Sequence, residues 1–276
     1  MALEVPDNSH FPVLIVGAGP VGLGLAIELG LRGVRTLVVE QSDGTFKHPR
    51  ANAINVRTME FCRRWGLTDA VRGKGMPADF PHTVLYLTSL AGYEIARIER
   101  PTHGGGASSP FSPERPQRCN QLWFDPILRD RADNLASVTV RNRVRFDSFE
   151  RTDDGIIAEI HDLTTGTVEH IAACYLIACC GGQSSIREML DIEMEGLPVQ
   201  GYPIDIFLRA PDLWTKHDKG KAALHYLIGP LGVWGSLIPL NGEDFWRLTI
   251  HGSTTFQDPK NFDADASVRQ AFGDNF

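Results

Sequence analysis

The sequence predicts an α/β fold that begins with a β-α-β unit, which β-rich segments interrupt and follow. Residues 13–40 contain an apolar run, a glycine-rich turn, a helical stretch and a second apolar run. This order is typical of two parallel strands joined by a crossover helix. Short β-branched and aromatic runs at 84–98 and 202–251, separated by turn-forming residues, predict a second, β-rich layer.

The turn after the first apolar run carries the G-x-G-x-x-G spacing, formed by Gly17, Gly19 and Gly22. The first glycine permits a tight turn, the second lets the backbone approach a pyrophosphate, and the third lets the helix pack closely on the sheet. The helix N-terminus offers N–H groups and a positive dipole end to phosphates. Glu40 closes the second apolar run, where an acid accepts a hydrogen bond from a ribose hydroxyl. These features predict a Rossmann-like dinucleotide site rather than an ordinary glycine-rich turn.

The composition limits the kinds of partner. The chain has 276 residues, of which 42% are hydrophobic and 22% charged, as expected for one large or two modest globular domains. A net charge of -7 argues against nucleic-acid binding. Five cysteines match no zinc spacing, and no signal sequence or membrane span is recognised, so we expect no metal site and a cytoplasmic protein with reduced thiols. The basic stretch 47–74 has two interpretations, a solvated helix face or a surface attracting an anionic cofactor.

Local patterns predict the elements between these landmarks. Asn55 is suited to cap a helix that ends near Gly66. Residues 120–132 predict a second helix with Pro126 in its first turn. Alternating strands and turns at 137–171 predict a small meander, and residues 175–179 predict a buried strand. We assign 1–75 and 105–190 to the discontinuous dinucleotide-binding domain, and 76–104 and 191–276 to a β-rich region that covers the cofactor.

Four segments, in order, resemble the FAD-dependent aromatic hydroxylases, which are single-component flavoprotein monooxygenases related to p-hydroxybenzoate hydroxylase and phenol hydroxylase. They are GAGPVGLGLAIELGLRGVRTLVVE, HPRANAINVRTMEFCRRWGL, QRCNQLWFDPILRDRA and YLIACCGGQSSIRE. The resemblance implies that the first segment binds the pyrophosphate and adenosine ribose of FAD. It also implies that Arg50 lies near the flavin and phosphates, that Gln121 binds on the pyrophosphate side, and that Arg129 assists. The implied cofactor-binding set is Gly17, Gly19, Pro20, Val21, Gly22, Glu40, Gln41, Arg50, Gln121, Cys180 and Gly181.

Two departures from the family pattern concern the flavin. Cys180 stands where the family has an aspartate, and a neutral thiol is a poor hydrogen-bond acceptor. We interpret Cys180 as a small apolar residue at a strand end rather than a reactive thiol. The family's later Gly-Asp segment, which grips the ribityl chain and pyrophosphate, does not occur in these 276 residues. We therefore expect a fragment or a natural truncation.

The resemblance implies a monooxygenase in which NADPH or NADH reduces FAD, O₂ forms a flavin C4a-hydroperoxide, and a phenolic or related aromatic ring is hydroxylated. No catalytic residue is assigned. His225, Tyr226 and Trp234 could line the substrate pocket, although packing roles are favoured. The sequence leaves open whether the protein forms a homo-oligomer.

The sequence suggests three alternative functions. One is a non-catalytic remnant that binds flavin weakly, which Cys180 and the missing Gly-Asp segment favour. Another is an NAD-dependent dehydrogenase, in which the Arg50 and Gln121 segments would have no role. An esterase is suggested by the HGGG run at 103–106 but lacks a G-x-S-x-G elbow.

Overall fold

A computed structural model describes residues 10–45, 47–102, 104–105, 110–197 and 199–273. The chain divides into two compact units, the first comprising Met1–Lys47 and Phe124–Glu195, the second His48–Trp123 and Gly196–Phe276. Residues 48–75, 105 and 110–123, which the sequence assigned to the dinucleotide-binding domain, thus belong to the second unit. The division into compact units does not show which residues bind a cofactor. The assignment of functional domains from the sequence therefore stays a prediction.

The first unit is built on a mixed six-stranded sheet. Its strands are β1 (His10–Val16), β2 (Thr36–Glu40), β7 (Val138–Asn142), β8 (Val144–Thr152), β9 (Gly155–Asp162) and β10 (Val168–Ala178). Helices α1 (Pro20–Gly30) and α5 (Ser185–Met189) and most of α4 (Gln121–Asp133) belong to this unit. The strand order is β7-β2-β1-β10-β9-β8. The first four strands pair in parallel, and β10, β9 and β8 form an antiparallel meander.

Apolar side chains fix the β-α-β start of this sheet. Leu14 and Ile15 in β1, Val38 in β2 and Ile27 in α1 are completely buried. Burial of these side chains supplies the main stabilisation of the unit. β1 and β2 are parallel neighbours, as a right-handed crossover through α1 requires. The predicted strand-helix-strand unit is confirmed.

Two strand predictions in this sheet were wrong. β7 lies within the predicted meander, but it pairs in parallel with β2. Residues 175–178 are the end of the longer β10 and Tyr175 is 66% exposed, so the predicted buried strand at 175–179 is wrong. The apolar cluster that covers Ile171 and Ala173 does not reach Tyr175. An apolar run in the sequence therefore did not show which part of the strand is covered.

The second unit is built on a six-stranded sheet and a two-stranded ribbon. The strands of the sheet are β4 (Val84–Leu87), β5 (Glu94–Ile98), β11 (Ile204–Arg209), β12 (Leu224–Gly229), β13 (Gly232–Pro239) and β14 (Phe245–Ile250), and those of the ribbon are β3 (Ala53–Ile54) and β6 (Gln117–Arg118). Helices α2 (Val56–Trp65), α3 (Thr68–Lys74) and α6 (Ala264–Phe272) belong to it. The sheet order is β11-β14-β13-β12-β4-β5, with only β12 and β4 parallel. The predicted α/β class with a β-rich second region is confirmed.

Helix α2 has the predicted limits. The Asn55 side chain accepts a hydrogen bond from the Thr58 N–H at 2.8 Å, which caps the N-terminus. Gly66 ends the helix with φ of 76°, a left-handed conformation that glycine adopts readily. Met59 and Cys62 lie on the buried face.

Helix α4 differs from its prediction at the proline. Pro126 lies inside the helix rather than in its first turn. The helix begins at Gln121, and the Asn120 side chain accepts from the Leu122 N–H at 3.0 Å. Pro126 has no N–H to donate, so the Leu122 carbonyl loses its usual helical partner.

No helix among the described residues combines the length and apolar character needed to cross a bilayer.

Ion pairs occupy part of the basic stretch 47–74. Glu114, only 2% exposed, accepts hydrogen bonds from Arg63 at 3.1 Å and from Arg72 at 2.6 Å. Arg57 pairs with Glu60 at 2.7 Å. A buried carboxylate is tolerated when it is paired and hydrogen-bonded, so Arg63 and Arg72 hold the chain around Glu114 against α2 and α3. This accounts for three of the basic side chains without a cofactor.

Candidate cofactor-binding site

The glycine-rich turn between β1 and α1 is closely packed on one side and open on the other. A Cβ added to Gly22 would lie 1.9 Å from the Gly17 carbonyl oxygen. One added to Gly17, whose φ is +105°, would lie 2.4 Å from the Cys179 carbonyl oxygen. Around Gly19, nothing lies within 4 Å of such a Cβ. Gly17 and Gly22 therefore fix the turn, and the backbone at Gly19 faces space that a ligand can occupy.

The N-terminus of α1 is accessible beside this space. Gly19 is the N-cap residue, and no side chain caps the helix. Pro20 occupies the start of the helix, where its missing N–H costs nothing. Val21 is 73% exposed, so its apolar surface is available to a ligand. The open helix end, with its dipole, is suited to a phosphate.

The Glu40 carboxylate is oriented by two backbone donors. Its Oε2 accepts from the Ala18 N–H at 3.0 Å, and its Oε1 from the Ser42 N–H at 2.8 Å. A carboxylate has about four acceptor positions, so each oxygen can still accept a ribose hydroxyl. Gln41, next to it, is exposed. The structure thus brings Glu40 directly to the glycine-rich turn, as the motif predicts.

A cleft of about 310 Å³ opens beside the turn. The Arg129 guanidinium in its wall is held by Asp133 at 2.9 Å and by the Asn142 side-chain oxygen at 2.8 Å. Asn142 ends β7 and lies opposite Glu40 in the register. The sequence analysis missed Asn142 because it assigned β7 to the meander. Asn142 could have been recognised as a polar residue at the carboxyl end of a parallel strand, where ligands bind. The cleft is lined by Ala18, Leu23, Gly44, Asp125, Pro126, Arg129, Asp130 and Asp133.

Cys180 lies in the turn after β10. Its sulfur is 2.9 Å from the Ser184 hydroxyl oxygen. That oxygen accepts from the Arg187 N–H and so caps α5. Cys180 packs against the apolar cluster of the first unit, and Gly181 follows with φ of +83°. Burial, with a smaller contribution from Cys180, raises the pKa of the Cys179 thiol. The surroundings of Cys180 are those of a small, half-buried packing residue.

Arg50 and Gln121 are brought together in the second unit through Ala51. The Gln121 N–H donates to the Ala51 carbonyl, and the Ala51 N–H donates to Gln121 Oε1, each at 3.1 Å. The Arg50 carbonyl accepts from Asn120 at 3.4 Å and from Arg247 at 3.2 Å, while the Arg50 side chain is exposed. The backbone at Arg50 is therefore fixed, and its guanidinium is accessible.

The remaining candidate residues have separate positions. His225 is fully buried in the core of the second unit, and Trp234 packs against the same core. Tyr226 stacks on Tyr86 with centroids 5.3 Å apart. His103 and Gly106 of the HGGG run lie outside the described residues. Among the described residues no three metal-ligating side chains cluster.

Comparison with known proteins identifies the class to which this fold and glycine-rich turn belong. Residues 10–274 match the family model described as "FAD binding domain". The chain is 36% identical to the tetracenomycin B2 monooxygenase-dioxygenase of Streptomyces olivaceus over 74% of its length, and 34% identical to the 4-methyl-5-nitrocatechol 5-monooxygenase of Burkholderia sp over 75%. The rebeccamycin biosynthetic enzyme RebC with reduced flavin is 36% identical, with a TM-score of 0.85 over 95% of this chain.

The chain therefore belongs to the FAD-binding domain family of the FAD-dependent aromatic hydroxylases and monooxygenases. The family resemblance drawn from the sequence is confirmed. The chain spans 40% of the Streptomyces relative, 38% of the Burkholderia relative and 49% of the RebC chain.

Proposed function

We propose that this chain supplies the FAD-binding site and the substrate-contacting sheet of a monooxygenase that uses NADH or NADPH and O₂ to hydroxylate a phenolic or related aromatic compound. The observation that carries the proposal is the open glycine-rich turn with Glu40 aligned beside it. The family membership selects FAD among the dinucleotides that such a turn can bind.

The residues of the first unit fit the adenosine and pyrophosphate portions of FAD. The backbone at Gly19 and the N-terminus of α1 would hold the pyrophosphate, because nothing occupies the space beside Gly19 and no side chain caps the helix. Glu40 would accept the ribose hydroxyls. Arg129 would donate hydrogen bonds from the wall of the cleft, where Asp133 and Asn142 orient its guanidinium. Bound FAD, once reduced by NADH or NADPH, would supply the activation of O₂ and the transfer of one oxygen atom.

One face of the second sheet suits an aromatic substrate. Tyr86 and Tyr226 stack there at 5.3 Å, and Phe207 stacks on Phe245 at 5.6 Å. These rings alternate along their strands with residues of the buried core, such as Leu85 and Trp246. Stacked rings on a partly exposed face can bind another flat ring and exclude water from it. Arg247 and Thr249, which lie on the same face of β14, would make polar contacts with the substrate.

Three measurements on the purified chain test this proposal. We expect a flavin absorbance band in the visible blue, saturable FAD binding, and O₂-dependent oxidation of NADH or NADPH that an added phenol accelerates. Binding of NAD without FAD would support a dehydrogenase and overturn the proposal. Quantifying H₂O₂ separates coupled hydroxylation from the futile reduction of O₂.

A second candidate, a weakly flavin-binding remnant or fragment, is favoured by Cys180. Its thiol contacts Ser184 and the apolar cluster, so it offers FAD no charged acceptor. On this hypothesis FAD binds weakly, and NADPH consumption yields H₂O₂ rather than a hydroxylated product. The same titration and H₂O₂ measurement distinguish the two candidates.

A further inference from the structure

Three polar atoms lie buried without a hydrogen-bond partner in one cluster of rings in the second unit. Within the described part of the chain they are Nε2 of His217, Nε2 of His225 and Nε1 of Trp246. His225 and Trp246 have no exposed surface. Buried polar groups in folded proteins are almost always paired with protein or with ordered water. Three such atoms on neighbouring rings are groups that one shared polar ligand can satisfy.

The rings are close enough to share such a partner. Trp214 contacts all three, with centroids 5.9 Å from His217, 6.1 Å from His225 and 4.5 Å from Trp246. The His217 and His225 centroids are 6.5 Å apart, and those of His225 and Trp246 are 6.0 Å apart. Two hydrogen bonds through one oxygen span up to about 6 Å. All three rings adjoin Trp214, and His217 and Trp246 both adjoin His225, so one small molecule beside His225 would lie next to the other two rings.

The hydrogen bonds of the two histidines fix which nitrogen carries the proton. His225 Nδ1 lies 3.1 Å from the Leu237 carbonyl oxygen, which only accepts, so Nδ1 carries the proton and Nε2 presents a lone pair. His217 Nδ1 accepts from the Lys219 N–H at 3.2 Å, so Nε2 carries the proton. Burial lowers the pKa of both rings, that of His225 to about 4, and keeps them neutral near pH 7. The Trp246 indole is a donor only.

The cluster therefore presents two donors, on His217 and Trp246, and one acceptor, on His225. We propose that these three side chains bind one buried water molecule. The water accepts from His217 Nε2–H and Trp246 Nε1–H and donates to His225 Nε2.

Other occupants match these groups less well. A metal ion would need a lone pair on His217 Nε2, which the Lys219 contact assigns as a donor. An anion would face the His225 lone pair. A buried water typically makes about three hydrogen bonds, the number available here. The water links the segment around the 3-10 turn Leu213–Thr215 to β12 and β14.

A crystal structure of the full chain and NMR on the same protein test this site directly. We expect density for one oxygen within about 3.2 Å of all three nitrogens. The ¹⁵N shifts should show the Nδ1–H tautomer for His225 and the Nε2–H tautomer for His217, with a water cross-peak at the Trp246 indole proton. The proposal would be overturned by the absence of density for a water among the three rings or by a direct hydrogen bond between the histidines. The opposite tautomers or an anomalous metal peak would also overturn it.

A double-mutant cycle gives a second readout. If one water links the two donors, the double variant raises the unfolding equilibrium constant by less than the product of the factors for His217→Phe and Trp246→Phe, since losing either donor weakens the same molecule. Independent contributions would instead multiply and contradict the link. If a variant does not fold, the structure and the NMR data on the unchanged protein still decide.

Discussion

The two six-stranded sheets place their chemically important residues in different ways. In the first sheet they lie at the carboxyl ends of parallel strands, where the turn after β1 meets Glu40 at the end of β2. In the second sheet they lie on the faces, with His225 and Trp246 in the core and Tyr86 and Tyr226 on the opposite side. The first arrangement depends on backbone space and N–H groups, and the second on which side chains pair across strands.

This difference separates two kinds of constraint. The glycine-rich turn is limited by steric contact, because a methyl group at Gly22 would overlap backbone. The buried cluster of the second sheet is limited by hydrogen bonding, because neutral His225 must pair both ring nitrogens. Substitutions in the two sheets should therefore fail for different reasons.

The largest effect on stability is expected at Gly22 of the glycine-rich turn, and Gly19 of the same turn should respond differently. Gly22→Ala should lower the free energy of unfolding by about 3 kcal/mol or more, since its Cβ would overlap the Gly17 carbonyl oxygen and force the turn to move. Gly19→Ala should change it by under about 1 kcal/mol yet weaken FAD binding at least about tenfold, an effect worth about 1.4 kcal/mol. Urea unfolding and FAD titration measure both quantities. Unchanged FAD binding in Gly19→Ala would show that the cofactor does not use the open side.

The second prediction concerns pH and the core of the second sheet. The folded-state pKa of His225, about 4, lies below its ordinary 6.5 because the ring is buried. The unfolded chain then binds more protons between these values, so this contribution to stability is complete above about pH 6.5 and is lost as the pH falls towards 4. Its full size is about 3 kcal/mol. His225→Phe should flatten the pH dependence of the unfolding free energy by that amount. Identical slopes for both proteins would contradict it, and an NMR titration of His225 gives an independent check.

The third prediction tests Glu40 as a ribose acceptor. Glu40→Gln removes the negative charge and one of the two oxygens that accept from Ala18 and Ser42. A charge-assisted hydrogen bond contributes about 1.5–3 kcal/mol, so the FAD dissociation constant should rise about ten- to a hundredfold. Glu150→Gln, the same chemical change at an exposed position of β8, is the matched control and should leave it unchanged. Equal losses in both variants would remove the Glu40 carboxylate from the ribose site.

The smallest effect is expected at Cys180. Cys180→Asp should tighten FAD binding by about tenfold, because a carboxylate accepts stronger hydrogen bonds than a thiol. The gain is limited, since the new charge would adjoin the apolar cluster that Cys180 now contacts. Cys180→Ser, which keeps the size and the neutrality, is the control. Isothermal titration calorimetry with FAD measures all three proteins, and equal dissociation constants would remove Cys180 from the cofactor site.

Local sequence predicted those features that depend on consecutive residues. The β-α-β unit, the Asn55 cap and the glycine-rich turn were recognisable because steric limits and capping act over a few residues. The sequence did not show in this way which strands pair with each other or which side chains are buried by distant elements. β7 was placed in the wrong pairing, and Tyr175 was expected to be buried, since both depend on residues distant in the chain.

The sequence by itself determined the fold class, the family, and the glycine-rich turn with Glu40 that we propose as the phosphate and ribose site. Only the tertiary structure decided that Asn142 lies opposite Glu40, that Gln121 holds Ala51, and that Glu114 pairs with the basic stretch. It also decided that His217, His225 and Trp246 meet around Trp214. The physical reason is that steric and capping rules are local, whereas burial and hydrogen-bond pairing are set by residues that meet only after the chain has folded.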